Sequence, residues 1–311
     1  MNLPLSSRKR RMKFKRYLPL FLMMIPGLAY LIINNYIPMF GLFIAFKSIN
    51  FRLGFFASPW VGFENFKYLF SSSNAWVITR NTLLYNVGFI VINTTMAISL
   101  AIFLNEITSK IFMRIYQTVI LLPFLISMVI ISYLVYAMLS SETGFIDKSI
   151  LPVIGVDPIS WYSEPKYWPF ILIAVKMWSY VGFLCIVYLA SIVGIDKEYF
   201  EAATLDGANK WQQIKNITLP LIKPVIILMV LFAIGKIFYS DFGLFYQIPR
   251  NSGTLYPTTN VIDTYVYRGL LQLGDLGMSS AAGFYQSLVG FILVISSNLV
   301  VKKISPENAL F

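Results

Sequence analysis

Residues 168–190 read WPFILIAVKMWSYVGFLCIVYLA, a run in which Lys176 is the only charged side chain. About 20 apolar residues are enough for an α-helix to cross the ~30 Å hydrocarbon core of a membrane. Comparable runs recur along the chain, and we place spans at residues 17–46, 81–104, 115–139, 168–190, 222–242 and 283–301. The sequence therefore predicts an all-α integral membrane protein with six transmembrane helices.

The composition agrees with lipid as the solvent of this chain. Of its 311 residues 57% are hydrophobic and 13% charged, whereas soluble domains carry roughly 25% charged residues. Cys185 is the only cysteine, and the chain has no histidine. These counts exclude an internal disulfide, an ordinary His or Cys metal site and Ser-His-Asp or Cys-His catalysis. We therefore expect neither a metal site nor catalytic residues.

The positive charge indicates how the chain is oriented. The net charge is +11, and seven of the 25 Lys and Arg lie in residues 1–16, directly before the first apolar run. If residues 1–16 form a cytoplasmic segment, the inside segments carry 15 Lys and Arg and the outside loops carry 8. We therefore expect both termini to be cytoplasmic and residues 17–311 to form the transmembrane domain, with membrane lipid rather than nucleic acid as its surroundings.

The first apolar run is too long for the core of a signal peptide. It covers residues 17–46, whereas the apolar region of a signal peptide has about 7–15 residues. We expect an uncleaved first span. The long outside loops at 140–167 and 243–282 could dock an extracellular partner or lie on the surface as lids.

The longest inside loop follows the fourth span. Residues 196–224 read DKEYFEAATLDGANKWQQIKNITLPLIKP, which predicts a helix over 196–206 that stops at Gly207, and a second helix over 209–217. This pattern places the large apolar side chains Tyr199, Phe200 and Trp211 at the cytoplasmic face. They could form a docking site for another protein or pack against the chain's own helix ends, and the residues alone leave both interpretations open.

The spacing in this loop resembles a known motif. Glu201-Ala202-Ala203, then Gly207, then Ile217-Thr218-Leu219-Pro220 is similar to the EAA motif of binding-protein-dependent ABC importer permeases. The resemblance implies the type I importer permease fold and a coupling loop over residues 196–220, which sits in a cleft on a cytoplasmic ATPase subunit. The coupling residues that it implies are Glu201, Ala202, Ala203, Asp206, Gly207, Trp211, Ile217, Leu219 and Pro220.

Two further segments look like the carbohydrate-type permeases. They are WVGFENF at 60–66 and SDFGLFYQIPR at 240–250, and the second is most similar to the Gram-positive branch that handles lipo-oligosaccharides and polysaccharide fragments. The resemblance implies a multi-pass protein of the cell membrane that imports an oligosaccharide. It also implies four kinds of partner: a second homologous permease subunit, two ATPase subunits, an extracellular solute-binding protein and the oligosaccharide itself.

This chain lacks the means to bind ATP itself. It has no G-x-x-x-x-G-K-[ST] motif, and its one Gly-Lys pair, Gly235-Lys236, precedes Ile237 within a span. We therefore expect separate ATPase subunits to bind Mg-ATP and hydrolyse it.

Ionisable side chains within spans are costly and tend to line cavities or form pairs. Lys176, Lys236 and Asp241 are of this kind, and two lysines would suit an acidic sugar. Maltose-type relatives bind sugar in the outer half of the corresponding helices. By that resemblance the candidate substrate-binding residues are Ser132, Tyr133, Tyr136, Lys176, Tyr180, Phe183, Lys236, Tyr239, Ser240 and Asp241.

Two other functions remain open. An ion-coupled secondary transporter would use the membrane lysines and Asp241 but leaves residues 201–220 unexplained. A polytopic membrane enzyme would need a cluster of acid, base or metal ligands outside the bilayer core, and the sequence offers none that is convincing.

Overall fold

The computed structural model describes residues 5–71, 73–304 and 306–308. The first residues of the predicted cytoplasmic segment, 1–4, and the end of the predicted transmembrane domain, 309–311, lie outside the described residues. The prediction of an all-α protein is confirmed, since the described residues form helices joined by turns and contain no strand. The main helices are α1 (Leu5–Leu31), α2 (Glu64–Ser71), α3 (Ser73–Asn105), α4 (Lys110–Leu125), α5 (Met128–Leu139), α6 (Trp168–Val193), α7 (Lys197–Leu205), α8 (Lys210–Ile234), α9 (Phe242–Gln247), α10 (Ile262–Leu271) and α11 (Leu276–Ile304).

Five helical segments are long and apolar enough to cross a membrane, and a sixth results if the bent pair α4 and α5 counts as one span. The first segment, Tyr17–Phe46, begins in the second half of α1. It continues through a π-helical turn (Ile32–Tyr36), a short α-helical turn (Ile37–Met39) and a 3₁₀-helix (Phe40–Phe46). None of its most apolar window is buried in the chain itself, so this segment faces lipid or another subunit.

The centre of the bundle is the packing of α3 against α6. Ala97 and Ala101 of α3 are fully buried, and they meet Cys185 and Leu189 of α6. Small residues at such contacts let two helix backbones approach closely. Helix α4 packs on another side of α6, and α11 packs against α2, α8 and α10.

The third predicted span, 115–139, is not one straight helix. The structure divides it into α4 and α5, which meet at an angle of 96°. Pro123 lies in the last turn of α4, and Ser127 starts α5 by accepting the Ile130 N–H at 3.4 Å. Because the apolar character continues through the bend, hydropathy alone does not reveal it.

The segment between the first span and α2 is organised around a buried lysine. Lys47 is 3% exposed, donates to the carbonyl oxygens of Phe55 and Phe56, and lies over the rings of Phe43 and Trp60. These contacts satisfy an ammonium group that would otherwise be costly to bury. The segment therefore folds back onto the end of the first span.

Candidate functional site

A cavity of about 440 Å³, which we call the central cavity, lies between α3, α6 and α8. Its wall combines aromatic rings with amides, hydroxyls and charged groups. It is lined by Asn86, Phe89, Ile90, Asn93, Thr94, Lys176, Tyr180, Leu184, Tyr188, Met229, Phe232, Ala233, Lys236, Tyr239, Ser240 and Asp241.

Helical spacing explains why these side chains share one cavity. Lys176, Tyr180, Leu184 and Tyr188 follow one another at intervals of four residues, so they lie along one face of α6. Asn86, Ile90 and Asn93 form a similar stripe on α3. Both stripes carry polar groups into otherwise apolar helices, which is typical of residues that face the interior of a bundle.

The third wall contains a break in the fifth predicted span. Helix α8 ends at Ile234, before the predicted end of the span at residue 242. Residues 235–238 form turns, and residues 239–241 have no regular secondary structure. Gly235 closes α8, and Asp241 starts α9 by accepting the Leu244 N–H at 3.1 Å. Backbone that is not helical at membrane depth is tolerated where it lines a cavity, and broken helices of this kind often bind the transported solute.

The charged groups of the cavity are not balanced. Lys176 Nζ forms an ion pair with Asp241 Oδ2 at 2.8 Å and also lies 4.7 Å from the centroid of the Tyr180 ring. Lys236 is exposed in the cavity wall, and it has no ion pair within the described part of the chain. One ammonium group is therefore available to an anionic ligand.

Several uncharged groups in the wall also have unused capacity for hydrogen bonding, Asn93 and Ser240 among them. Asn93 is 3% exposed, and its Oδ1 has no hydrogen-bond partner among the described residues. Buried polar atoms are nearly always paired, with protein, water or ligand. The Asn93 oxygen is thus an unsatisfied acceptor just behind the cavity surface, and a rotation of its side chain would present it to a donor such as a sugar hydroxyl.

The structure brings six of the ten candidate substrate-binding residues together in the central cavity: Lys176, Tyr180, Lys236, Tyr239, Ser240 and Asp241. Phe183 stacks on Phe124 behind this wall, at 4.9 Å between ring centroids. Ser132 and Tyr133 line a separate, smaller cavity, and Tyr136 packs against Tyr162 and Arg250.

Sequence reasoning missed the contribution of α3, namely Asn86, Phe89, Asn93 and Thr94. The available signal was the spacing of Asn86 and Asn93, which lie on the same helical face within an apolar span.

The coupling loop is built around a turn at Gly207. Helix α7 starts at an N-cap, where the Asp196 side chain accepts the Glu198 N–H. Gly207 has φ +80°, a conformation that favours glycine, and α8 begins with a reciprocal capping box between Asn209 and Gln212. The expected helix over 196–206 is present in this form.

The second predicted helix of the loop, 209–217, does not end there. It continues through a π-helical turn, Ile214–Thr218, into one helix that reaches Ile234. This turn ends at Thr218, two residues before Pro220, whose ring would press on the Asn216 carbonyl in a regular α-helix. The coupling loop is therefore joined to the cavity wall by a single helix.

The predicted coupling residues differ in exposure. Trp211 is 69% exposed, and Glu201, Ala202, Asp206, Gly207 and Pro220 are also exposed. Leu205, which the motif did not predict, lies beside them and is 90% exposed. Ala203, Ile217 and Leu219 are half-buried. A surface with such large exposed apolar side chains is typical of a site that binds another protein.

Partly buried hydrogen bonds and one surface ion pair hold this surface in place. Gln213 Nε2 donates to Thr204 Oγ1 at 3.0 Å and to the Ala208 carbonyl at 3.2 Å, which fixes α8 against α7. Lys210 Nζ lies 2.9 Å from Glu106 Oε2 beyond the end of α3. The loop is thus attached to two of the helices that line the central cavity.

Two relatives from Bacillus subtilis (strain 168) resemble this chain over nearly its whole length. Protein LplB is 33% identical over 289 residues, which cover 93% of this chain and 90% of the relative. The polygalacturonan/rhamnogalacturonan transport system permease protein YteP is also 33% identical over 289 residues, covering 93% and 89%.

Solved structures give the same result. A chain of a bacterial ABC transporter involved in the import of the acidic polysaccharide alginate superposes with a TM-score of 0.88 at 34% identity, covering 96% of this chain and 99% of that one. A chain of the bacterial alginate ABC transporter in complex with alginate pentasaccharide-bound periplasmic protein superposes with a TM-score of 0.86 at 33% identity, covering 94% and 97%.

The family assignment rests on residues 93–306, which match the family of binding-protein-dependent transport system inner membrane components. The matched region contains α4 to α11 and thus most of the central cavity and the whole coupling loop. The resemblance found in the sequence is thereby confirmed, and the importer permease fold with it. This chain belongs to the binding-protein-dependent transport system inner membrane component family.

Proposed function

We propose that this permease carries an oligosaccharide through the membrane as one subunit of an ATP-driven importer, after an extracellular solute-binding protein delivers it. The central cavity is the observation that supports this most strongly. Its tyrosine and phenylalanine rings suit the apolar faces of sugar rings, and its amides, hydroxyls and charges suit sugar hydroxyls. The related transporters with a sugar in their names point to the same class of solute.

We further propose that the preferred oligosaccharide is acidic. Lys176 and Lys236 contribute two positive charges to the cavity wall and Asp241 contributes one negative charge. Since Asp241 is paired with Lys176, Lys236 remains to bind a uronate carboxylate.

The proposed assembly contains a second homologous permease subunit and two ATPase subunits that bind Mg-ATP. The unburied first span supports the second permease, because a neighbouring subunit can cover it. The exposed surface of the coupling loop supports the ATPase, and we propose that Glu201 pairs there with a basic residue while Ala202, Ala203 and Gly207 permit close approach of the helix.

This arrangement requires the coupling loop and both termini to be cytoplasmic. The charge distribution of the loops supports that orientation. We propose the cell membrane of a Gram-positive bacterium as the location; the origin of the two relatives in Bacillus, a Gram-positive genus, supports it.

Uptake by the reconstituted transporter tests the solute. Proteoliposomes with the complete transporter and saturating binding protein should import uronate oligosaccharides only when ATP is present inside. Lys236→Gln should weaken binding of the acidic oligosaccharide to the purified transporter by about tenfold, the loss of one charge-assisted hydrogen bond, and leave binding of a neutral one unchanged.

Lys223→Gln is the matched control, since Lys223 is an exposed lysine of α8 that does not line the cavity. Equal losses for neutral and acidic solutes would contradict a role for Lys236 in recognising charge. Uptake driven by an ion gradient without ATP would favour a secondary transporter instead.

The coupling role is tested separately. Glu201→Lys should abolish ATP-dependent uptake because it reverses the charge that faces the ATPase, while Glu198→Lys, an equally exposed change in the first turn of α7, should retain it. Copurification of the ATPase should fall only for Glu201→Lys. Full uptake by that variant would rule out the proposed pair.

A further inference from the structure

A second cavity of about 180 Å³ lies near one end of α9, and we call it the α9 cavity. It is smaller than the roughly 300 Å³ of the smallest pockets for drug-sized ligands, so it suits a single ring. Its lining comes from α5, from the end of α9 and from the turn that follows: Val129, Ser132, Tyr133, Tyr246, Gln247, Arg250 and Asn251.

Arg250 is held at this cavity without a charged partner. Its guanidinium carbon lies 4.2 Å from the centroid of the Tyr136 ring. Its side chain has no ion pair or hydrogen bond with the residues that the structure describes, and it is exposed. A guanidinium stacked on an aromatic ring keeps its N–H edge free, and that edge matches a carboxylate in geometry and charge.

The backbone that presents Arg250 is strained. Arg250 and Asn251 have φ values of 54° and 50°, in the left-handed region, which costs a residue such as arginine about 1–2 kcal/mol and asparagine less. Such strain persists where surrounding contacts determine the conformation, and it concentrates at binding sites.

Hydrogen bonds hold this conformation. The Asn251 N–H donates to the Tyr246 carbonyl at 3.1 Å, and Asn251 Oδ1 accepts from the Tyr256 hydroxyl at 3.1 Å and from Arg268 Nη1 at 3.0 Å. The turn is therefore a fixed part of the cavity wall.

The rest of the wall fits a sugar. Tyr133 is 64% exposed, and its ring offers an apolar face. The Gln247 amide and Asn251 Nδ2 can bind hydroxyl groups, since only Oδ1 of the Asn251 side chain is already bonded to another described residue. Tyr246 stacks on Phe242 with 4.9 Å between ring centroids, so aromatic carbon continues along α9 toward its other end.

The two cavities lie at opposite ends of α9. Asp241, in the central cavity, caps the start of this helix, and Tyr246 and Gln247, in the α9 cavity, are at its end. A helix of 6 residues is about 9 Å long. An oligosaccharide long enough to extend along α9 would reach both cavities, whereas a disaccharide held in the central cavity would not.

We infer that the α9 cavity is a second subsite for a uronate unit of the same oligosaccharide, with Arg250 binding its carboxylate and Tyr133 contacting its ring. This inference rests on the proposed function, because it requires an acidic oligosaccharide as the solute. With this second subsite, the permease would select oligosaccharides by their length as well as by their charge.

The test is calorimetric binding of uronate oligosaccharides, from disaccharide to pentasaccharide, to the purified intact transporter without its solute-binding protein. For Arg250→Gln the affinity for the pentasaccharide should fall about tenfold, while that for the disaccharide stays as in the wild type. Tyr133→Ala should show the same dependence on length. Arg52→Gln, an exposed arginine far along the chain from α9, is the matched control and should bind all lengths normally.

Three results would overturn the subsite. One is an unchanged affinity of Arg250→Gln for every length, and another is an equal loss for every length, neutral chains included. A third is normal binding of oligosaccharide together with a weaker stimulation of ATP hydrolysis by the solute-binding protein, which would assign Arg250 to protein docking. If the wild-type transporter with its solute-binding protein and ATP imports no acidic oligosaccharide of any length, the proposed function itself fails.

Discussion

Lys176 Nζ lies 2.8 Å from Asp241 Oδ2, while the other oxygen of the same carboxylate accepts the Leu244 N–H at 3.1 Å. One side chain thus joins α6 to the first turn of α9 across the wall of the central cavity. The two side chains are 16% and 27% exposed, so water screens this pair less than it screens a surface pair.

The Lys176–Asp241 pair should stabilise the fold through mutual interaction. Asp241→Asn keeps the N-cap of α9 but removes the charge, and Lys176→Gln removes its partner. We expect each variant to lose about 2 kcal/mol of stability and the double variant to lose less than the sum. Unfolding of the detergent-solubilised transporter measures this, and strictly additive losses would show that the pair contributes nothing.

Gly182 should not tolerate a side chain. A Cβ at this position of α6 would overlap the carbonyl group of Ile120 in α4, and backbone cannot move aside as a flexible side chain can. Gly182→Ala should therefore separate α4 from α6 and lower the unfolding temperature and the yield of folded protein.

Gly88→Ala is the matched control for Gly182→Ala, because its nearest neighbour would be Ile173 Cδ1 at an ordinary 3.9 Å. In the middle of α3 this change should stabilise the helix by up to about 1 kcal/mol. Equal behaviour of the two variants would argue against close packing at Gly182.

Gly207 is required for its backbone conformation. A Cβ at this position would meet no described atom of this chain within 4 Å, so space does not exclude a side chain. The φ angle of +80° does, because residues with a side chain rarely adopt it. Gly207→Val should distort the turn between α7 and α8 and reduce ATP-dependent uptake, while Gly207→Asn should retain most of it because asparagine enters the left-handed region more readily. If both variants lose uptake equally, contact with the partner subunit rather than the turn requires glycine.

The stability of the protein should depend on the protonation of Asp263. Burial raises the pKa of this carboxyl above its ordinary 3.8, and hydrogen bonds from the Ser240 N–H at 2.7 Å and from Gln286 Nε2 at 3.1 Å oppose that effect. The folded protein therefore keeps the proton to a higher pH than the unfolded chain does. At pH values between the ordinary pKa of 3.8 and the raised pKa of the folded state, the folded protein binds more protons than the unfolded chain does. The free energy of unfolding therefore falls as pH rises through this window.

Asp263→Asn removes this titration. The unfolding temperature of the wild type, relative to that of Asp263→Asn, should decline as pH increases from about 4 and then level off. Parallel curves for the two proteins would mean that the pKa of Asp263 is the same in the folded and unfolded states.

The hydropathy of the sequence predicted how many apolar segments the chain has, but it did not predict where those segments bend or break. The bend between α4 and α5 and the end of α8 at Ile234 both occur inside apolar sequence, so the average hydropathy hardly changes there. Pro123 and Gly235 are the local signals. They are weak because the same residues occur in unbroken transmembrane helices, where neighbouring groups compensate for the lost hydrogen bonds.

The charged members of the central cavity could be predicted because a lysine within a span is rare enough to demand an explanation. Asn93 and Thr94 carry no charge and are separated from Lys176 by a long stretch of sequence, and only the packing of α3 against α6 brings them to the same cavity. In the coupling loop, by contrast, the capping residues and Gly207 act on their immediate neighbours in sequence. The ends of the first helix could therefore be predicted to within about one residue.

The continuity of α8 gives the protein a lever. Its 25 residues extend about 37 Å, from Lys210 in the coupling loop to Ile234 beside the central cavity. A tilt of only about 10° about the cytoplasmic end moves the opposite end by roughly 6 Å. A rotation of this size at the coupling loop would therefore displace the cavity end of α8 by about the rise of one helix turn, and it would change the distance between Lys236, just beyond that end, and Lys176.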